Sequence, residues 1–185
     1  MMVTTHAMVG VAVATSLVYT APELALIGAF GALVGGVLPD VDLFVGTHRR
    51  TLHYPALYWV GTVPALGLAM VARTPATVAV GFVLLSAALH SSSDVLGAGE
   101  ELRPWERTVD EAVYLHPAGR WLRARRIVRY DGAPEDLLLT VVFALPGTLL
   151  YNGSVRYVCL LCVLLATVYA LFRKQVPEYL GRFVE

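Results

Sequence analysis

Six long apolar runs, almost free of charge, dominate the chain, at 5–19, 22–38, 54–72, 75–93, 136–151 and 155–172. Runs this apolar at helical length must be buried on every side or lie in lipid. Only 15% of the 185 residues are charged and 57% are hydrophobic, whereas soluble domains carry about 25% charged residues. The expected fold class is all-α: a polytopic membrane protein of about six transmembrane helices in three hairpins. Residues 1–185 read as a single membrane domain. Four helices occupy 1–94, a cytoplasmic Arg-rich interfacial loop 95–135, and the last hairpin and tail 136–185. A full span takes about 20 residues, so the first and fifth runs are short. Ala21-Pro22, Thr74-Pro75 and Asn152-Gly153 cut the runs into tight hairpins, since Pro opens a helix and Asn-Gly marks a turn. The first run lacks the basic residues that precede a signal peptide's apolar core, so it reads as a retained membrane helix.

Basic residues fall unevenly across this topology. The side of the N-terminus carries twelve: Arg49, Arg50, the seven arginines from Arg103 to Arg129, Arg173, Lys174 and Arg182; the other side carries Arg73 and Arg156. The positive-inside rule then makes the N-terminal side cytoplasmic, with both termini inside and the protein in the cell (inner) membrane. Trp105, Trp121 and Tyr130 lie among those arginines, which suggests an interfacial helix or ordered loop over 119–130 that meets membrane lipids, anionic headgroups among them. The formal net charge is zero, so nothing points to nucleic acid. Cys159 and Cys162 sit inside an apolar run and read as small packing residues, and Gly28, Gly31, Gly35 and Gly36 allow close helix packing.

The ionisable groups are not scattered. His6 opens the first run, Asp40 and Asp42 close the second, His48 and His53 precede the third, and His90 and Asp94 close the fourth. Under an alternating topology all seven meet on the cytoplasmic face. Ionisable residues at a membrane helix end are expensive and mark a functional site. His90 and Asp94, four apart on a helix, share a face, and Asp40-Val41-Asp42 puts two carboxylates on a tight turn that can aim both at one centre. Imidazole with carboxylate suits one or two divalent ions, Zn²⁺ first and Mn²⁺ or Fe²⁺ next. The expected metal ligands are His6, Asp40, Asp42, His48, His53, His90 and Asp94. His116 lies in the polar loop and stands apart.

With those residues in view, the chain resembles the YdjM-like family, described as LexA-binding, inner-membrane-associated, predicted metal-dependent hydrolases. The resemblance rests on His6 with Gly10, on Leu38-Pro39-Asp40-Val41-Asp42, on His48-Arg49-Arg50-Thr51-Leu52-His53, and on His90-Ser91-Ser92-Ser93-Asp94 with Gly97, Gly99 and Arg103-Pro104-Trp105. It covers about residues 2 to 105. Leu43 stands where the family has a histidine, and Arg50, Leu52 and Tyr54 also depart from its pattern.

The function expected from residues and resemblance together is a membrane-bound, metal-dependent hydrolase working at the cytoplasmic interface on phosphoester or lipid substrates. Asp42 and Glu100 are the candidate acid/base groups, with Glu101 and Glu106 as alternatives. Arg49, with Arg50, would neutralise a phosphate. The alternative is a non-catalytic, metal-stabilised protein that presents its Arg-rich loop to a partner protein, a second copy or anionic lipid. Metal-ion transport fits poorly, because such sites lie near the midplane and these groups sit at one end.

Overall fold

The computed structural model describes residues 1–178; Arg182, counted above with the cytoplasmic basic residues, lies outside the described residues. All six apolar runs are helical. In order the helices are α1 (Val3–Ala14), α2 (Leu17–Thr20), α3 (Pro22–Val37), α4 (Leu57–Ala72), α5 (Pro75–Ser93), α6 (Pro134–Leu150) and α7 (Ser154–Phe172). Four stretches are long and apolar enough to cross a membrane: Val3–Thr20, Pro22–Leu43, Pro75–Leu96 and Ser154–Glu178. Helices α4 and α6 have 16 and 17 residues, about 24–26 Å at 1.5 Å per residue, against a hydrocarbon core of about 30 Å.

Local chemistry explains the breaks. Thr15 Oγ1 donates to the Ala12 carbonyl and Ser16 Oγ to the Val13 carbonyl, and these back-bonds separate α1 from α2. Pro55 holds Tyr54 out of the helical region, so α4 starts at Leu57 rather than at 54. After α3 the chain tightens into a 3-10 turn, Leu38–Leu43, with Pro39 in its first turn.

Alternation is direct. At one end the Met2 amide donates to Asp136 at the start of α6 (2.8 Å), Trp59 of α4 donates to Ser92 of α5 (2.9 Å), and Arg173 after α7 donates to Asp131 (2.8 Å). At the other end Tyr151 Oη donates to the carbonyls of Ala14 and Ala25, both at 3.1 Å. The starts of α1, α4 and α6 therefore share one end with the finishes of α3, α5 and α7. The core is small-residue packing: Ala7, Ala29, Ala32, Ala87 and Ala88 are buried, and a Cβ added to Gly36 would lie 2.6 Å from Ala7 Cα.

Asp136 is the strongest single tie between α1 and α6. It is fully buried and accepts from the Met2 amide, the Gly132 amide (3.1 Å) and Thr5 Oγ1 (2.7 Å). Asp136→Ala strands the Met2 and Gly132 amides, while Thr5 keeps Thr140 Oγ1 at 2.7 Å, and is expected to destabilise the protein by about 3 kcal/mol. Thermal unfolding in detergent measures it; an unchanged transition would mean that water replaces the carboxylate.

The all-α expectation needs one correction. The long polar segment holds an antiparallel hairpin, β1 (Glu111–Leu115) and β2 (Arg120–Arg123), turned by His116–Ala118 and by Gly119 at φ 61°. So 119–130 is a strand followed by ordered irregular chain, not an interfacial helix. Trp121, first read as a membrane-interface marker, pairs across the strands with Tyr114, with ring centroids 5.5 Å apart.

Candidate metal centre

The 3-10 turn sets the first part of the site. At about three residues per turn, side chains two apart diverge by about 120°. Asp40 and Asp42 therefore do not aim at one centre side by side, as the sequence suggests. They take the two nitrogens of His53 from opposite edges of its ring. Asp42 Oδ2 accepts from His53 Nδ1 (2.9 Å), and Asp40 Oδ1 lies 3.4 Å from His53 Nε2.

Asp42 is consumed by orienting bonds. Its Oδ1 accepts from His48 Nδ1 (2.7 Å), and its Oδ2 also accepts from the Leu52 amide (3.1 Å). The last turn of α5 brings His90, whose Nδ1–H donates to the Gly36 carbonyl at 2.7 Å. A carbonyl can only accept, so in the neutral imidazole this bond puts the proton on Nδ1 and leaves Nε2 as a lone pair. The Asp42 bond does the same for His53. Both Nε2 atoms are buried and have no hydrogen-bond partner among the described residues.

Each of these lone pairs faces two carboxylate oxygens. His53 Nε2 lies 3.4 Å from Asp40 Oδ1 and 3.2 Å from Asp94 Oδ2; His90 Nε2 lies 3.3 Å and 3.4 Å from the same two atoms. Four acceptors turned on one another repel unless a proton or a metal ion lies between them. Donors bound to Zn²⁺ at about 2.0–2.1 Å sit on a tetrahedron whose edges are about 3.3–3.4 Å. The four observed nitrogen–oxygen separations, 3.2–3.4 Å, account for four of its six edges and lie close to that length. More broadly, His6, His90 and Asp94 form one group and Asp40, His48 and His53 another, each with donor atoms within 4.8 Å of one another and able to hold a metal ion.

Without an ion the same carboxylates draw a proton instead: burial pulls the His53 imidazole down, but Asp40, Asp94 and Asp42 outweigh it and push the group up to about 10. Carboxylates that hold a proton so firmly would also hold a divalent ion in its place.

The remaining predicted residues are distributed around this cage. His6 stacks on His90 with ring centroids 3.7 Å apart, and its Nε2 lies 3.1 Å from Asp94 Oδ1, which steers Oδ2 inward. Arg49 is mostly spent on structure: Nη1 donates to the carbonyls of Ala98 (2.7 Å) and Ala112 (3.3 Å), so it pins the motif loop to the hairpin. Its backbone is left-handed (φ 57°), and its carbonyl accepts from the Tyr114 amide at 2.9 Å. Glu100 lines the same cavity as Asp40, His48 and Arg49. Burial raises its carboxyl above the ordinary glutamate value against the pull of His48 and Arg49. Glu101 instead accepts from Thr108, and Glu106 pairs with Arg103. His116 packs on Tyr54 and Tyr114, away from the cage.

Sequence reasoning missed the Gly36 carbonyl and Ser93, whose Oγ lies 3.2 Å from His6 Nδ1. The first is a main-chain group that no residue pattern encodes. Four of the basic residues also have acidic partners: Arg123 and Arg126 pair with Asp110, Arg129 with Glu135 and Arg173 with Asp131. No protein-family model, curated protein or solved structure matches this chain.

Proposed function

We propose that the protein is a multi-pass membrane hydrolase with a divalent-metal centre at its cytoplasmic end, acting on phosphoester or lipid substrates. The observation that carries this reading is the pair of buried imidazole lone pairs facing two carboxylate oxygens at coordination-edge distances. His53, His90, Asp40 and Asp94 hold the ion, Zn²⁺ by donor type with Mn²⁺ or Fe²⁺ next. Asp42 orients His53 and His6 orients Asp94, as hydrogen-bonded partners of metal-binding groups do. When bound, such an ion supplies Lewis acidity and acidified water at neutral pH. Glu100, across the cavity, serves as the acid/base group. Arg49, which lines the cavity, contributes a positive charge that draws in an anionic substrate.

In this reading all six helical runs sit in the bilayer, the two short ones by local thinning. Twelve basic residues at the site end against two at the other favour a cytoplasmic site. Arg120 and Arg125, exposed on and beside the hairpin, meet anionic headgroups. The motif resemblance to YdjM-like proteins agrees with this assignment.

One observation favours a second reading. Four protein donors would leave a tetrahedral ion no open position, which is the pattern of structural zinc. In that case the ion only ties the end of α3, the loop before α4 and the end of α5 together. Glu100→Gln separates the two. Under the hydrolase reading it keeps full metal content and lowers phosphoester turnover by about 10²–10⁴-fold. Metal-loaded wild type with no turnover on water-soluble or lipid phosphoesters would leave the structural reading.

A further inference from the structure

The cavity beside the metal donors is far larger than a phosphate needs. It measures about 1030 Å³, the upper end of the roughly 300–1,000 Å³ typical of small-molecule sites. Its lining is mixed. Asp40, His48, Arg49, Asp94 and Glu100 bring it to the metal donors. The apolar walls of this trough come from the end of α3 with its 3-10 turn (Val37, Val41, Phe44) and from the last turns of α7 (Leu165, Val168), where Tyr169, Arg173 and Asp131 also line it. Val37 is 45% and Val168 46% exposed, so the trough is open along its length rather than sealed. Both walls belong to stretches long and apolar enough to cross a membrane. In the membrane reading, the open side is then within reach of lipid chains.

We propose that this trough holds the hydrocarbon chain of a single-chain amphiphile whose phosphate-type headgroup sits against the metal donors and Arg49. The proposal rests on the metal-centre reading for the headgroup alone. Chain recognition rests on the trough. A soluble phosphoester would use only the part beside the metal donors and leave the apolar walls uncovered. A chain that enters sideways from the bilayer covers them and delivers its headgroup to Asp40 and Asp94.

The test is binding of alkylphosphonates, from methyl to decyl, to the metal-loaded protein in nanodiscs, read by calorimetry against empty nanodiscs. Phosphonates have no scissile ester, so binding is read apart from turnover. Counted from the aqueous ligand concentration, wild type should gain up to about fourfold in affinity per methylene, read as saturable one-to-one heat beyond the partitioning into empty discs. Val168→Trp should flatten that gain, and so should Val37→Trp from the opposite wall, which guards against a folding defect in either variant. Methylphosphonate binding without a chain-length gain would overturn the trough proposal and leave the metal centre standing. A chain-length gain that survives both substitutions would also overturn it. A gain without methylphosphonate binding, abolished by both tryptophans, would keep the trough and remove the headgroup role of the metal.

Discussion

Protein carrying His90→Ala and Asp94→Asn together is expected to purify without stoichiometric metal, while wild type holds at least one equivalent of Zn, Mn or Fe. The two changes remove one imidazole and one carboxylate from a four-donor cage whose separations lie between 3.2 and 3.4 Å. Loss of even an orienting partner costs a metal site about 10–100-fold in affinity, so loss of two donors should cost more than about 100-fold. Asp42→Asn provides the graded comparison. It leaves all four donors in place but replaces one of the carboxylate oxygens that hold His48 and His53, and it should fall in the 10–100-fold range. Elemental analysis of the detergent-purified proteins decides. Equal metal in wild type and the double variant would mean that the ion sits elsewhere. No metal in either, even after reconstitution, would mean that the cluster is a protonated hydrogen-bond network built around His53.

The second large effect is steric. Gly36→Val should collapse fold and site together, with a loss above about 4 kcal/mol, the range reached only by gross mispacking or lost networks. The added carbons have nowhere to go. A Cβ at Gly36 already meets the backbone of Ala7, and the carbonyl of the same residue holds His90 Nδ1. Pushing α1 away from α3 thus moves a metal donor. Gly67→Ala is the counterpart. Nothing among the described residues lies within 4 Å of a Cβ there, so ordinary helix propensity should make this variant more stable by about 0.5–1 kcal/mol. Thermal unfolding and gel-filtration profiles of the pair are the measurement. A folded Gly36→Val protein that retains its metal would show that α1 and α3 can part without cost to the cage.

Much of this molecule was legible in its residues. The apolar runs gave the helices to within a few positions, because a stretch without charge at helical length has few alternatives to helix. The punctuation at Ala21-Pro22 and Thr74-Pro75 gave the start of α3 and of α5 to the residue. The gathering of His6, Asp40, Asp42, His48, His53, His90 and Asp94 at one end followed from counting antiparallel segments. These features are local or topological, so the order of residues carries them.

What each site residue does was decided by the tertiary structure alone. Residue type made Asp40 and Asp42 equal candidates. Only the 3-10 turn sends one towards Asp94 and the other to the Nδ1 atoms. Residue type made Arg49 a phosphate binder, whereas its left-handed backbone and the two carbonyls it meets make it largely a clamp. The hairpin at 111–123 was hidden for a related reason: Trp and Tyr among arginines suit a membrane interface and a cross-strand pair equally well, and only the pairing of Tyr114 with Trp121 separates them. Sequence fixes which chemical groups a chain owns and roughly which end of the fold they reach. Direction at the scale of an ångström is set by backbone turns and by main-chain acceptors such as the Gly36 carbonyl, and those exist only once distant segments have packed.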